Sequence, residues 1–200
     1  HQDRMVAFAP PERVVPGIIL LPAHIDSPGV VVQGRPGVVN VPDSAAGRAL
    51  CSLFGENPLV DFRAQADFVT EIWKKLVVNA AGGGISTLTL TPVGQISNPV
   101  IRDLAARLMQ EIIEVGRAEG ATIPDSFVDE CLAEKPPGLG GHFPSITVDW
   151  REGRPMEWEA RNAVVGKIGR RHGIPTPLND VLTALLSLAD EHGSGFNRSS

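Results

Sequence analysis

The sequence predicts an α+β chain in two parts, an alternating α/β stretch over residues 1–66 followed by a mainly α-helical domain over residues 67–200. Three observations predict it. Before Asp67 the apolar residues come in short β-branched runs punctuated by proline and glycine, such as "RVVPGIILLPAHI" and "PGVVVQGRPGVVNV". After Asp67 they recur at helical spacing over long windows closed by glycine. The overall balance, 42% hydrophobic and 20% charged in 200 residues, is that of a chain able to bury a sizeable core.

In the first part, "GIILLP" reads as a strand too apolar to leave at a sheet edge, so it is expected to pair with strands that these 200 residues do not contain. The two runs of "PGVVVQGRPGVVNV" read as a hairpin turning at "GRPG". A small helix, "SAAGRALCSLFG", closes at Gly55, and "LVDFRA" is a further strand. In the second part, helices are expected over 67–82, 98–119 with Gly120 as the stop, 124–134, 155–172 with Gly173 as the stop, and 178–192. The loop "EKPPGLGGHFPS" separates the third of these from the fourth.

A net charge of −5 without a long basic run gives no footprint for nucleic acid and no polybasic membrane anchor. No apolar run approaches the roughly 20 residues needed to span a bilayer. Cys51 and Cys131 form neither a disulfide framework nor a metal-ligand spacing with histidine, so no metal site and a reducing, cytoplasmic setting are expected. The partner to look for is a small molecule. The opening at His1, already in mid-domain style, reads as the interior of a longer protein.

The stretch "EIWKKLVVNAAGGGIS" is the first candidate site. On a helix Ile72, Lys75, Asn79 and Gly83 fall on one stripe. Two readings are open: a surface lysine beside a hydrogen-bonded core asparagine, or a substrate-facing pair whose half-buried amine works as an acid near neutrality. Three consecutive glycines, each costing about 1 kcal/mol in a helix interior, call for a helix end or a close approach to the backbone. Neither "GGG" nor "GLGGH" has the GxGxxG spacing of a pyrophosphate loop.

The second candidate is "HFPSITVDWREGRPMEWEARNAVVGKIGRRHGIPTP". Pro155 suits a first helical turn, Glu157 and Glu159 complement its positive end, and Arg170, Arg171 and His172 its negative end. Ser145 reads on its own as a turn hydroxyl before that helix.

Together, "KLVVNAAGG" and "PSITVDWREGRPMEWEARNAVVGKIGRRHGIPTPLN" resemble the carboxy-terminal domain of ketopantoate reductases (2-dehydropantoate 2-reductases), and the opening 66 residues resemble the end of that family's nucleotide-binding domain. Lys-x3-Asn combined with Ser-x3-Asp-x7-Glu and the "GIPTP" close carries the likeness over nearly the whole chain. The resemblance implies a Rossmann-type remnant joined to a helical domain like the carboxy-terminal one of 6-phosphogluconate dehydrogenase, and NADPH-dependent reduction of a 2-oxo acid, ketopantoate in the type reaction. It implies Lys75 as general acid, Asn79 as a ligand for the substrate hydroxyl, Ser145 as a ligand for the substrate carboxylate, and Glu157 beside nicotinamide and substrate with both a catalytic and a cofactor-binding part. It also implies a homodimer. The four residues are expected to share one cleft between the α/β part and the helical domain.

Two departures qualify what it implies. Gly83 stands where the family commonly has a second asparagine, so a 2-oxo acid other than ketopantoate is expected to be the better substrate. The glycine fingerprint is absent from these residues, so most of the NADP contact is expected from a segment preceding them. The contrasting expectation is a helical dimerisation or ligand-binding module without catalysis.

Overall fold

The chain divides into two units, His1–Ile72 and Trp73–Ser200; the computed structural model describes Met5, residues 7–134 and residues 140–193. In the first unit, β1 (Ile18–Leu20), β4 (Gly37–Pro42) and β5 (Val60–Gln65) form a sheet in the order β1-β4-β5. β1 pairs antiparallel with β4, and β4 pairs parallel with β5, Val39 opposite Phe62. A parallel pair needs a crossover, and α1 (Ala45–Phe54) supplies it. Ser44 Oγ caps this helix by accepting from the Gly47 amide at 3.0 Å, and Gly55 ends it at φ 55°. α1 leaves the strand so abruptly that a Cβ on Gly47 would lie 2.0 Å from the Pro42 carbonyl oxygen. Only glycine fits there.

The hairpin expected at "GRPG" does not form. β2 (Ala23–Ser27) and β3 (Val30–Gln33) pair with each other, turning at Pro28 and Gly29, whose φ of 83° suits the tighter reversal. β3 and β4 therefore join different sheets. Pro36 has no N–H to give a ladder, and the Gly37 amide donates to the Leu59 carbonyl, committing β4 to β5 instead. β1 sits at the edge of its sheet with Ile18 buried and Ile19 and Leu20 exposed.

The second unit is helical. α2 (Phe68–Val77) begins in the first unit and runs into a π-helical turn, Val78–Gly82, which continues as α3 (Gly83–Thr89). The glycines are thus spanned by helix rather than ending one. α4 (Pro99–Ala118), capped by the Asn98 side chain, buries Ala105, Leu108, Met109, Ile112, Ile113, Val115 and Gly116. That three-and-four spacing makes α4 the axis of a core completed by Trp73, Val77, Leu132, Val165 and Leu186. Each fully buried side chain of this size contributes about 1.5–3 kcal/mol.

α5 (Phe127–Leu132) is shorter than the expected 124–134, and residues 135–139 of the proline-glycine loop lie outside the described residues. α6 (Ser145–Arg151) is a helix that periodicity did not reveal. The helix expected from Pro155 instead begins at Trp158 with a second π turn, Glu159–Ala163, continuing as α7 (Val164–His172). Asp190 explains the delay. Its carboxylate accepts from the Met156 amide and from Trp158 Nε1, holding the approach to the helix extended. α8 (Pro177–His192) closes the unit, its amino terminus capped by Glu111 of α4, whose carboxylate accepts from the Leu178 and Asn179 amides at 2.9 Å each.

Candidate active site

Two π turns face the same side chains, and an asparagine ties them together. Asn162, fully buried in the second turn, donates from Nδ2 to the Ala80 carbonyl of the first at 3.2 Å and to Asn179 Oδ1 at 3.3 Å. Asn179 Nδ2 returns a bond to the Asn162 carbonyl at 2.9 Å. A π turn leaves backbone groups out of the ordinary ladder, and such insertions recur at functional sites. Here one lies between Lys75 and Gly83, and the other begins two residues after Glu157 and contains Arg161.

Lys75, in the last turn of α2, is partly buried. Burial lowers the pKa of its ammonium, the positive charge of Arg161 lowers it further, and the negative charge of Glu157 acts in the opposite direction. Arg161 joins the remaining candidates: its Nη2 donates to Ser145 Oγ at 2.9 Å and to Glu157 Oε2 at 3.1 Å. Ser145 opens α6 and is held at that end by Ile146 and Thr147, both buried, with Thr147 Oγ1 2.9 Å from Thr87 Oγ1 of α3. Glu157 is fixed from either side through Met156 and Trp158 on Asp190. Lys75, Ser145 and Glu157, from three separate elements, therefore belong to one charged cluster within the second unit. Asn79 lies within the first π turn, four residues beyond Lys75 and partly exposed.

Gly83 does not open onto empty space. A Cβ built on it would come within 3.2 Å of Ile146 Cγ2 and 3.6 Å of Arg161 Nη1. Arg161 is the residue that sequence reasoning missed. Its signal was present: it lies four residues after Glu157, the spacing at which opposite charges meet on a helix. The Arg170–His172 group is structural. Arg170 pairs with Asp180 at 3.5 Å and His172 Nε2 lies 2.5 Å from Glu119.

This two-part fold, a small Rossmann-like strand–helix–strand region followed by a helical domain, is one that solved oxidoreductase structures share. A D-mandelate dehydrogenase solved with NADH and anilino(oxo)acetate shares the fold at a TM-score of 0.86 over 96% of this chain and 65% of that one, at 23% identity. The 2-dehydropantoate 2-reductase of Geobacter metallireducens GS-15 superposes at 0.83, with 30% identity over 94% of this chain and 64% of its own. Residues 67–190 match the family model described as ketopantoate reductase PanE/ApbA, C terminal, and the chain belongs to the ketopantoate reductase family. The 2-dehydropantoate 2-reductase of Caulobacter vibrioides is 39% identical over 189 residues, 94% of this chain and 64% of that protein. The chain thus spans just under two thirds of the length of the curated relatives it matches.

Proposed function

We propose that the intact protein is a nicotinamide-dependent reductase of a 2-oxo acid, of the ketopantoate reductase type, with NADPH as reductant, working as a cytoplasmic homodimer. The observation that carries this reading is the gathering of Lys75, Glu157 and Ser145 around Arg161. When bound, the cofactor supplies the hydride that adds to the oxo carbon. The substrate oxygen then gains negative charge, and the Lys75 ammonium stabilises it and gives up the proton from Nζ. The lowered pKa eases that transfer, while the Glu157 carboxylate acts in the opposite direction and favours the protonated amine. Ser145 receives the substrate carboxylate and Asn79 its hydroxyl.

Among the described residues the strand-to-helix turn of β4 and α1, Pro42–Ser44, is not glycine-rich, and the Gly47 amide is taken by Ser44 Oγ. These residues do not fit a pyrophosphate. In this reading the dinucleotide is held chiefly by a preceding segment of the intact protein, with Glu157 at the nicotinamide end. The test is NADPH oxidation by the intact protein against a panel of 2-oxo acids that includes ketopantoate. Turnover of one or more supports the reading, with ketopantoate expected to be surpassed by another member; turnover of none, in a folded protein that binds NADPH, leaves the non-catalytic module in its place.

A further inference from the structure

We propose that Arg161 is a substrate-binding residue, its guanidinium holding the carboxylate of the 2-oxo acid together with the Ser145 hydroxyl. This assignment rests on the reductase reading above.

Four observations carry it. First, the Arg161 side chain is only 12% exposed, whereas its partner Glu157 is 65% exposed. A surface pair four residues apart on a helix needs no such burial, and an arginine drawn inward is ordinarily there for what it binds. Second, Nη2 donates to Ser145 Oγ, so the serine oxygen is already an acceptor and its own hydrogen is left for another acceptor. A carboxylate placed there takes the serine hydrogen and a guanidinium N–H together, the forked geometry that suits arginine better than lysine. Third, a Cβ at position 83 would touch Nη1 at 3.6 Å, ordinary contact distance, and crowd Ile146 Cγ2 at 3.2 Å, so Arg161 and Ile146 together wall the space beside Gly83. The guanidinium thus stands beside the position where the amide is expected, available to the same ligand. Fourth, the cluster comprises two cations, Lys75 and Arg161, and one anion, Glu157. A substrate carboxylate beside them offsets the repulsion by which the Arg161 charge lowers the Lys75 pKa.

The reading differs from a structural role for Arg161 in what it discriminates. A bracket that only holds Ser145 and Glu157 affects charged and neutral substrates alike; a carboxylate ligand affects the charged ones far more. The experiment compares kcat/KM of the intact protein for 2-oxo-3-methylbutanoate and ketopantoate with that for their primary amides, in wild type, Arg161→Gln and Arg161→Lys. Loss of a hydrogen bond to a charged group predicts that the acid-to-amide ratio falls on the order of 10–100-fold in Arg161→Gln, mostly through KM, and by less in Arg161→Lys, which keeps the charge without the fork. If Arg161→Gln does not fold, the Lys variant decides on the same ratio. An unchanged ratio in a folded variant of an active enzyme overturns the assignment and leaves the reductase reading standing. A wild type that reduces neither 2-oxo acid overturns this assignment together with that reading for these substrates.

Discussion

Lys75 shows how one residue serves two opposed demands. Folding lowers its pKa, so between the folded and unfolded values the unfolded chain binds more protons and stability rises with pH. Below the folded value the cost of holding the charge beside Arg161 is fully present. Lys75→Met removes that cost and keeps good helix propensity, so the variant is expected to melt higher than wild type at pH 7 in thermal unfolding, with the difference shrinking as pH is raised through the folded pKa. The same variant should lose about 10²–10⁴-fold in kcat/KM for 2-oxo acid reduction, the usual worth of a positioned acid. A variant that melts higher yet keeps its activity would leave Lys75 a structural oddity. Arg161→Gln tests the coupling between the two cations. It withdraws one of the charges that lower the Lys75 pKa, so the basic limb of the pH profile of kcat/KM is expected to move to higher pH.

At the scale of elements, the three glycines separate into different cases. A Cβ on Gly82 meets Ile96 and Val93 at 3.6 Å, ordinary contact distance, and its backbone is helical. Gly82→Ala is therefore expected to be neutral or stabilising by up to about 1 kcal/mol. On Gly84 the same atom would lie 2.6 Å from Leu182 Cδ2 and 3.0 Å from its Cγ, where α3 packs on α8. Gly84→Ala should cost about 1–3 kcal/mol as that buried leucine is forced aside. Gly47→Ala should cost at least as much, because its neighbour is a backbone carbonyl that no rotamer change can move. Denaturant melts of the three variants rank them; a Gly82→Ala protein less stable than Gly84→Ala would show that the first π turn needs glycine for itself. Position 83 is intermediate: a Cβ there would crowd Ile146 Cγ2 at 3.2 Å and touch Arg161 Nη1 at ordinary contact distance, 3.6 Å.

At the scale of the whole molecule, the proposed reading gives the substrate contacts to the second unit and most of the dinucleotide contacts to a preceding stretch of sequence. The 200-residue chain is expected to bind NADPH weakly or not at all by calorimetry, since its strand-to-helix turn is not glycine-rich and the Gly47 amide is already bonded to Ser44 Oγ. Micromolar binding by this chain alone would show that the cofactor sits on these 200 residues rather than on a preceding segment.

Much of the architecture was already written in local chemistry. The change from strand to helix near Asp67, Ser44 and Gly55 at the ends of α1, Asn98 at the start of α4 and the apolar stripe of that helix are properties of neighbours along the chain, so periodicity and capping residues determined them. That Lys75, Ser145 and Glu157 are to be read together was an implication of the resemblance and not of periodicity. What only the tertiary structure decided depends on partners far away in sequence: β4 choosing β5 over β3, Glu111 capping a helix 67 residues on, Asp190 delaying the helix after Pro155, and Arg161 lying against Gly83. In each case a donor, acceptor or volume is satisfied across the fold, and a pattern confined to a few consecutive residues carries no record of what will stand opposite.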